Sequence, residues 1–342
     1  MNLNLKHLHR AGMISACLVL CIAILFGCTP GKSGETVTTP PDENTSPSPN
    51  TPEEGPLTRD ISVYPVPKSI ETGDIQLAAA LITTDSSGEP YKTALENAGF
   101  SLGDGGLGIK FVSNNALPSE GYKLSVTKEG ITLSSSDKRG AMNGIATLGQ
   151  LLRDGTLPEV EISDSPDVTF RGVIEGFYGV AWTHEFRLEL LKFMGRYKMN
   201  TYIYAPKDDP KHRSQWRSTY TGKELEKMKE LATTAAENNV RFVYAISPGL
   251  DIKLNSGYEN DKASLFAKCE SLYELGVRDF AILLDDIPTL NAQGHAMLLN
   301  DFQTEFCETH EGVSNLTAIN PNSAARCSRV ILTNWLPFST KR

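Results

Sequence analysis

Cysteine is scarce in the part of this chain that has to fold. Six are present, but Cys17 and Cys21 lie in an apolar leader and Cys28 closes it, which leaves Cys269, Cys307 and Cys327. An odd, widely spaced trio is no disulfide framework, and without a CxxC or HExxH string no metal site and no cofactor is predicted. Lys/Arg-rich runs are also missing beyond the leader. With a net charge of -8 this speaks against nucleic acid or an anionic membrane surface as the main partner and for a neutral ligand. Long apolar runs are missing too. The one candidate, Met13 to Phe26, is shorter than the ~20 residues a spanning helix needs.

That run follows Lys6 and Arg10 and ends in Leu25-Phe26-Gly27-Cys28, the layout of a processing signal. The ending looks like a bacterial lipoprotein lipobox, which implies cleavage before Cys28, acylation of its thiol and a lipid anchor on the extracytoplasmic side of the bacterial cell envelope. An ordinary secretory signal is the alternative. Residues 1–28 are therefore read as signal and residues 29–57, dense in Thr, Ser, Pro and Glu, as an extended tether too polar to fold.

A small α+β domain is expected over 58–165. ISVYPVP at 61–67 reads as its first strand, Leu107–Ser113 and Gly121–Val126 as two more, and Lys128-Glu129-Gly130 as a turn into ITLSSS. Ala141, Ile145, Leu148, Leu151 and Leu152 stand at helical spacing between Asp137 and Leu152. Nothing in this domain carries chemistry, and its expected role is packing against the C-terminal part of the chain.

From 166 to 342 the texture changes to apolar strands alternating with helical segments, the pattern of βα units around a parallel sheet. FRGVIEG, NTYIYAP, RFVYAIS and RDFAILLDDI read as strands, with helices near 184–198, 222–238, 259–275 and 293–308 and a fifth strand at Leu316–Ile319. The fold class is thus α/β, a partial (β/α)8 TIM-type barrel preceded by the small α+β domain. The residues present are too few for the ~250 of a whole barrel.

In such barrels the functional groups come from the C-terminal ends of the strands. Asp285 and Asp286 follow the apolar run Phe280–Leu284, where a carboxyl beside a desolvated core calls for a reason. Two adjacent carboxyls do not ionise independently, so one is expected to hold its proton to higher pH. Lys207 follows a strand and a proline, and either pairs with Asp208 or Asp209 or reaches a ligand. Gly176 and Gly179 admit a close backbone approach or a tight turn. Tyr178, Trp182 and Trp216 either stack on a sugar ring or pack internally.

Taken together, RGVIEGFYG, NTYIYAPKDDPKHR, YAISPGLDI and FAILLDDI resemble the catalytic barrel of glycoside hydrolase family 84, the β-N-acetylglucosaminidases that include O-GlcNAcases and hyaluronidase-like bacterial enzymes. The likeness spans about 60–310. It implies retaining hydrolysis of terminal β-linked N-acetylglucosamine from glycans or glycoproteins. In that scheme Asp286 is the general acid/base, Asp285 orients the substrate's 2-acetamido group, and that group is the nucleophile, forming an oxazoline. Lys207 and the Gly176 backbone would bind sugar hydroxyls. After Asn315 the likeness fails, and the family's active-site tyrosine and later tryptophan, asparagine and aspartate find no counterpart. The expectation is a chain truncated within the barrel, with an inactive fragment, a glycan-binding surface lipoprotein or a hyaluronan- or chitin-directed glucosaminidase as alternatives.

Overall fold

The computed structural model describes residues 62–285, 287 and 291–317. Cys28, Asp286 and Cys327 lie outside the described residues. In the N-terminal part the order is β1 (Ser69–Ala78), β2 (Leu81–Thr84), α1 (Lys92–Asn97), β3 (Ser101–Leu102), β4 (Leu107–Ser113), β5 (Tyr122–Thr127), β6 (Gly130–Ser135), α2 (Lys138–Leu151) and β7 (Thr156–Asp164). These strands form one mixed sheet in the order β1-β7-β5-β6-β4-β2-β3. Alternation in β5 and β6 turns Leu124, Val126, Ile131 and Leu133 inward, where Ile145, Leu148 and Leu151 of α2 cover them. Asp137 caps α2 by accepting from the Gly140 amide at 2.8 Å.

The described part of ISVYPVP, residues 62–67, is not a strand. Pro65 and Pro67 remove two ladder donors, and the segment is held instead by the Gln150 side-chain amide, which accepts from the Tyr64 N–H at 2.7 Å and donates to the Tyr64 carbonyl at 2.8 Å. The sheet's longest pairing, β1 against β7, went unread in the sequence because β1 carries polar residues on both faces. β7 follows an Asp154-Gly155 turn in which both residues have positive φ, at 49° and 73°.

The C-terminal part alternates β8 (Gly172–Glu175), α3 (His184–Arg196), β9 (Thr201–Tyr204), α4 (Gly222–Glu237), β10 (Arg241–Ile246), α5 (Tyr258–Tyr273), β11 (Asp279–Ile282), α6 (Ala292–Asp301) and β12 (Ser314–Asn315). All its strand pairs are parallel, in the order β12-β11-β10-β9-β8, which is the arrangement of part of a TIM-type barrel. Phe242, Tyr244 and Ile246 of β10 face the helices, while Val243 and Ala245 join Ala205 and Ala281 on the inner face. A strand buried on both sides reads as a continuous apolar run, which is why β10 was plain in the sequence. The fifth strand starts earlier than expected. Ser314 and Asn315 pair with Asp279 and Phe280, so polar residues begin it and the apolar Leu316 comes next, its N–H on the Phe280 carbonyl at 2.7 Å.

A polar seam joins the two sheets. Glu120 accepts from Arg171 at 2.5 Å and from Asn200 Nδ2 at 3.0 Å. Lys198 donates to Tyr122 Oη at 3.0 Å and to Asp164 at 3.1 Å. Asn239 Nδ2 donates to the Arg139 carbonyl at 3.3 Å. Glu120, Lys198 and Asn239 all sit in the left-handed backbone region, with φ of 59°, 58° and 60°. Each therefore carries a local conformational cost, and each is held by contacts across the seam.

Candidate active site

The rim is built by the segment after β9. Asp209 is its anchor: the carboxylate accepts from Tyr204 Oη at 2.8 Å, Tyr220 Oη at 2.6 Å and the Lys211 amide at 2.8 Å. Beneath it the buried Lys268 ammonium donates to the Lys211 carbonyl. Asp208 turns the other way and accepts from the Gly179 N–H at 3.0 Å, while the Lys207 N–H donates to the Phe177 carbonyl at 3.1 Å. The loops after β8 and β9 are thereby tied together, and Gly179, at φ 99°, has a backbone that needs glycine.

These anchors leave the Lys207 side chain free of both neighbouring aspartates. Its Nζ meets Asp285 Oδ2 at 2.5 Å, joining a lysine side chain only 3% exposed to an aspartate side chain that is 50% exposed. Burial pushes the Asp285 carboxyl up, but the Lys207 hydrogen bond and charge, with Arg213 contributing, outweigh it and hold it below the usual carboxylate range. Asp285 is thus an ionised acceptor at neutral pH with an accessible face. Lys207 and Asp285 each lie three residues past the end of their strands; Tyr204 and Phe280 face the same residue, Tyr244, so β11 runs two residues beyond β9 at the same end of the parallel sheet.

Gly176 lies at the end of β8 on this rim with no positive φ, and a Cβ there would approach Ile174 Cγ1 at 3.2 Å. Glu175, just before it, is fully buried and held by Arg187 through Nε at 2.8 Å and Nη2 at 2.7 Å, with Tyr202 Oη and the Trp182 N–H as further donors. This arrangement orients the β8 end rather than facing a ligand. Trp216 is 0% exposed and donates from Nε1 to Asp251 at 2.7 Å, so of its two readings packing is the correct one. Trp182 is partly buried against Phe177 and Phe186. Tyr178 is exposed, with the Arg213 guanidinium 5.3 Å from its ring centre.

His212 and Arg213 were overlooked in the sequence, although both stand in the KHR string after β9. Arg213 acts on the charge of Asp285. The His212 ring is 0% exposed, with Nδ1 at 2.7 Å from the Ala245 carbonyl, and burial lowers its pKa to about 4. Among the described residues no group of three or more His, Cys, Asp or Glu stands where it would hold a metal ion.

Residues 171–329 match the sequence profile of the beta-N-acetylglucosaminidase family, and residues 60–165 match glycosyl hydrolase family 20, domain 2. Over 75% of its length the chain superposes on the solved structure of CpGH84B, with 38% identity and a TM-score of 0.70. These matches support a place in glycoside hydrolase family 84. A second family 84 structure, CpGH84D, matches 78% of the chain with 26% identity and a TM-score of 0.67. The protein O-GlcNAcase of Rattus norvegicus is 46% identical over 116 residues, which is 34% of this chain. A beta-hexosaminidase of Vibrio vulnificus is 26% identical over 243 residues, or 68% of this chain. The chain spans 12% of that O-GlcNAcase, 27% of that hexosaminidase and 50% and 52% of the two solved family 84 chains.

Proposed function

We propose that this chain's barrel segment serves the retaining hydrolysis of terminal β-linked N-acetylglucosamine by substrate assistance. The observation that carries the reading is the Lys207–Asp285 pair just past the C-terminal ends of β9 and β11, which keeps Asp285 ionised and half exposed. As a carboxylate it accepts the acetamido N–H. This raises the electron density on the acetamido oxygen, which attacks the anomeric carbon while Asp286 gives its proton to the departing glycosidic oxygen. An oxazolinium ion results, its N–H still hydrogen-bonded to Asp285, with no covalent bond to the protein. Asp286 then takes a proton from water, whose oxygen opens the oxazolinium ring at the anomeric carbon and restores the acetamide with net retention. Lys207 and the Gly176 backbone serve sugar hydroxyls, and Cys28 serves as the lipidated anchor of an extracytoplasmic protein.

The test is release of fluorophore from a β-N-acetylglucosaminide by the full chain, with Asp286→Asn beside it. Turnover in the parent and a loss of about 10²-fold or more in the variant support the reading. Equal rates in both overturn it, and saturable binding of N-acetylglucosamine without turnover would make the chain a glycan-binding protein instead.

A further inference from the structure

Two buried side chains, Lys207 and His212, have complementary hydrogen-bonding capacity. The Lys207 ammonium carries three N–H donors, and Asp285 Oδ2 is its acceptor at 2.5 Å. The Ala245 carbonyl can only accept, so the proton of the His212 ring is on Nδ1 and Nε2 is a bare acceptor. Nε2 is one of three buried side-chain polar atoms without a hydrogen-bond partner among the described residues. The charged neighbours acting on this ring are Lys207 most strongly, then Asp209 and Asp285. Asp209 is an acceptor like Nε2, engaged by two tyrosines and the Lys211 amide, so of these three charged neighbours Lys207 alone can donate to Nε2.

We propose that His212 is a positioning residue whose Nε2 is the second seat of the Lys207 ammonium, taken up when Asp285 is engaged by a ligand or loses its charge. The inference deepens the functional reading of the rim and rests on it for its catalytic meaning. While Asp285 is free, the ammonium lies on Oδ2. When a substrate N–H takes Oδ2, the ammonium turns one N–H to Nε2, which keeps it hydrogen-bonded out of water while its charge stays beside Asp285 and another N–H remains for a sugar hydroxyl. Burial keeps the imidazole uncharged, its pKa near about 4, so the seat is open across the neutral range and closes only in acid.

The decisive experiment needs no substrate. In full chain labelled with ¹⁵N-histidine, the His212 Nε2 resonance is assigned by its disappearance in His212→Asn. Asp285→Asn is expected to shift that resonance upfield, as accepting a hydrogen bond does, and adding Lys207→Met to Asp285→Asn is expected to return it. An Nε2 resonance unchanged by Asp285→Asn overturns the proposal. The second arm reads turnover. Asparagine reproduces the Nδ1 contact to Ala245 but not Nε2, whereas glutamine reaches the Nε2 position and loses the tether. His212→Asn should therefore lower kcat/KM roughly tenfold and His212→Gln restore most of it, while thermal stability ranks the two in the opposite order. Turnover indifferent to His212→Asn also overturns the proposal. A parent chain with no turnover would sink the functional reading and leave the resonance experiment to decide this one.

Discussion

The seam between the two sheets and the rim above β9 and β11 are both built of charged side chains withdrawn from water, yet they are finished differently. In the seam, Glu120 has Arg171 and Asn200, and Lys198 has Tyr122 and Asp164. At the rim, Lys207 has Asp285, His212 Nε2 has no hydrogen-bond partner among the described residues, and Asp285 faces solvent with half its side-chain surface. A satisfied buried network specifies one arrangement and resists change; an incompletely satisfied one is ready to bind something else. One polar cluster therefore holds the protein together and the other is available for a ligand.

Substitutions in the two places should separate cleanly. Asp285→Asn is expected to lower glycoside turnover by about 10²–10³-fold with a smaller loss of stability than any seam variant, as read by initial rates and urea unfolding on the same samples. Lys198→Met should do the reverse. It removes one partner of a buried pair, costing about 3 kcal/mol of unfolding free energy, and leaves turnover per folded molecule unchanged. If Lys198→Met abolishes turnover in a fully folded sample, the division between the regions is wrong.

A pH experiment probes the floor of the rim. Burial lowers the Lys268 pKa from 10.5 to about 8. Between those values the unfolded chain holds a proton that the folded chain has released, so this group's contribution to stability rises as pH increases from about 8 toward 10.5. Urea midpoints of the parent should therefore gain on those of Lys268→Met over that interval, and parallel curves would refute the assignment. The smallest effect belongs far from both regions. Gly155 has φ 73°, and a Cβ there would come within 3.1 Å of Ala80 Cβ, so Gly155→Ala should cost about 1 kcal/mol of stability without touching turnover.

Legibility in the sequence followed burial. β10, enclosed on both faces, and α2, with a capped start and one apolar stripe, were plain; β1, polar on both faces, was not. The ISVYPVP segment has the right composition for a strand, but its prolines leave it to the Gln150 amide, 86 residues away. At the site, Asp285 and Lys207 were marked by position, at strand ends in a βα pattern. His212 was not, because a lone histidine between a lysine and an arginine carries no periodic signal. Glu175 and Asp209 stood in the family-like strings without hint that both are buried anchors with tyrosine hydroxyls upon them.

By itself the sequence determined the alternation of strands and helices, the caps, the Asp154-Gly155 turn and the choice of residue types at the strand ends, since these depend on side-chain spacing and backbone preference over a few residues. Only the tertiary structure decided that Lys207 pairs with Asp285, 78 residues on, rather than with Asp208 or Asp209 next to it. The reason is competition for partners. Asp208 is taken by the Gly179 amide and Asp209 by two tyrosines, and the parallel order of β9, β10 and β11 puts the remaining carboxylate at the same end of the sheet as the lysine. Which charge meets which is set by that strand order, and a single strand does not encode it.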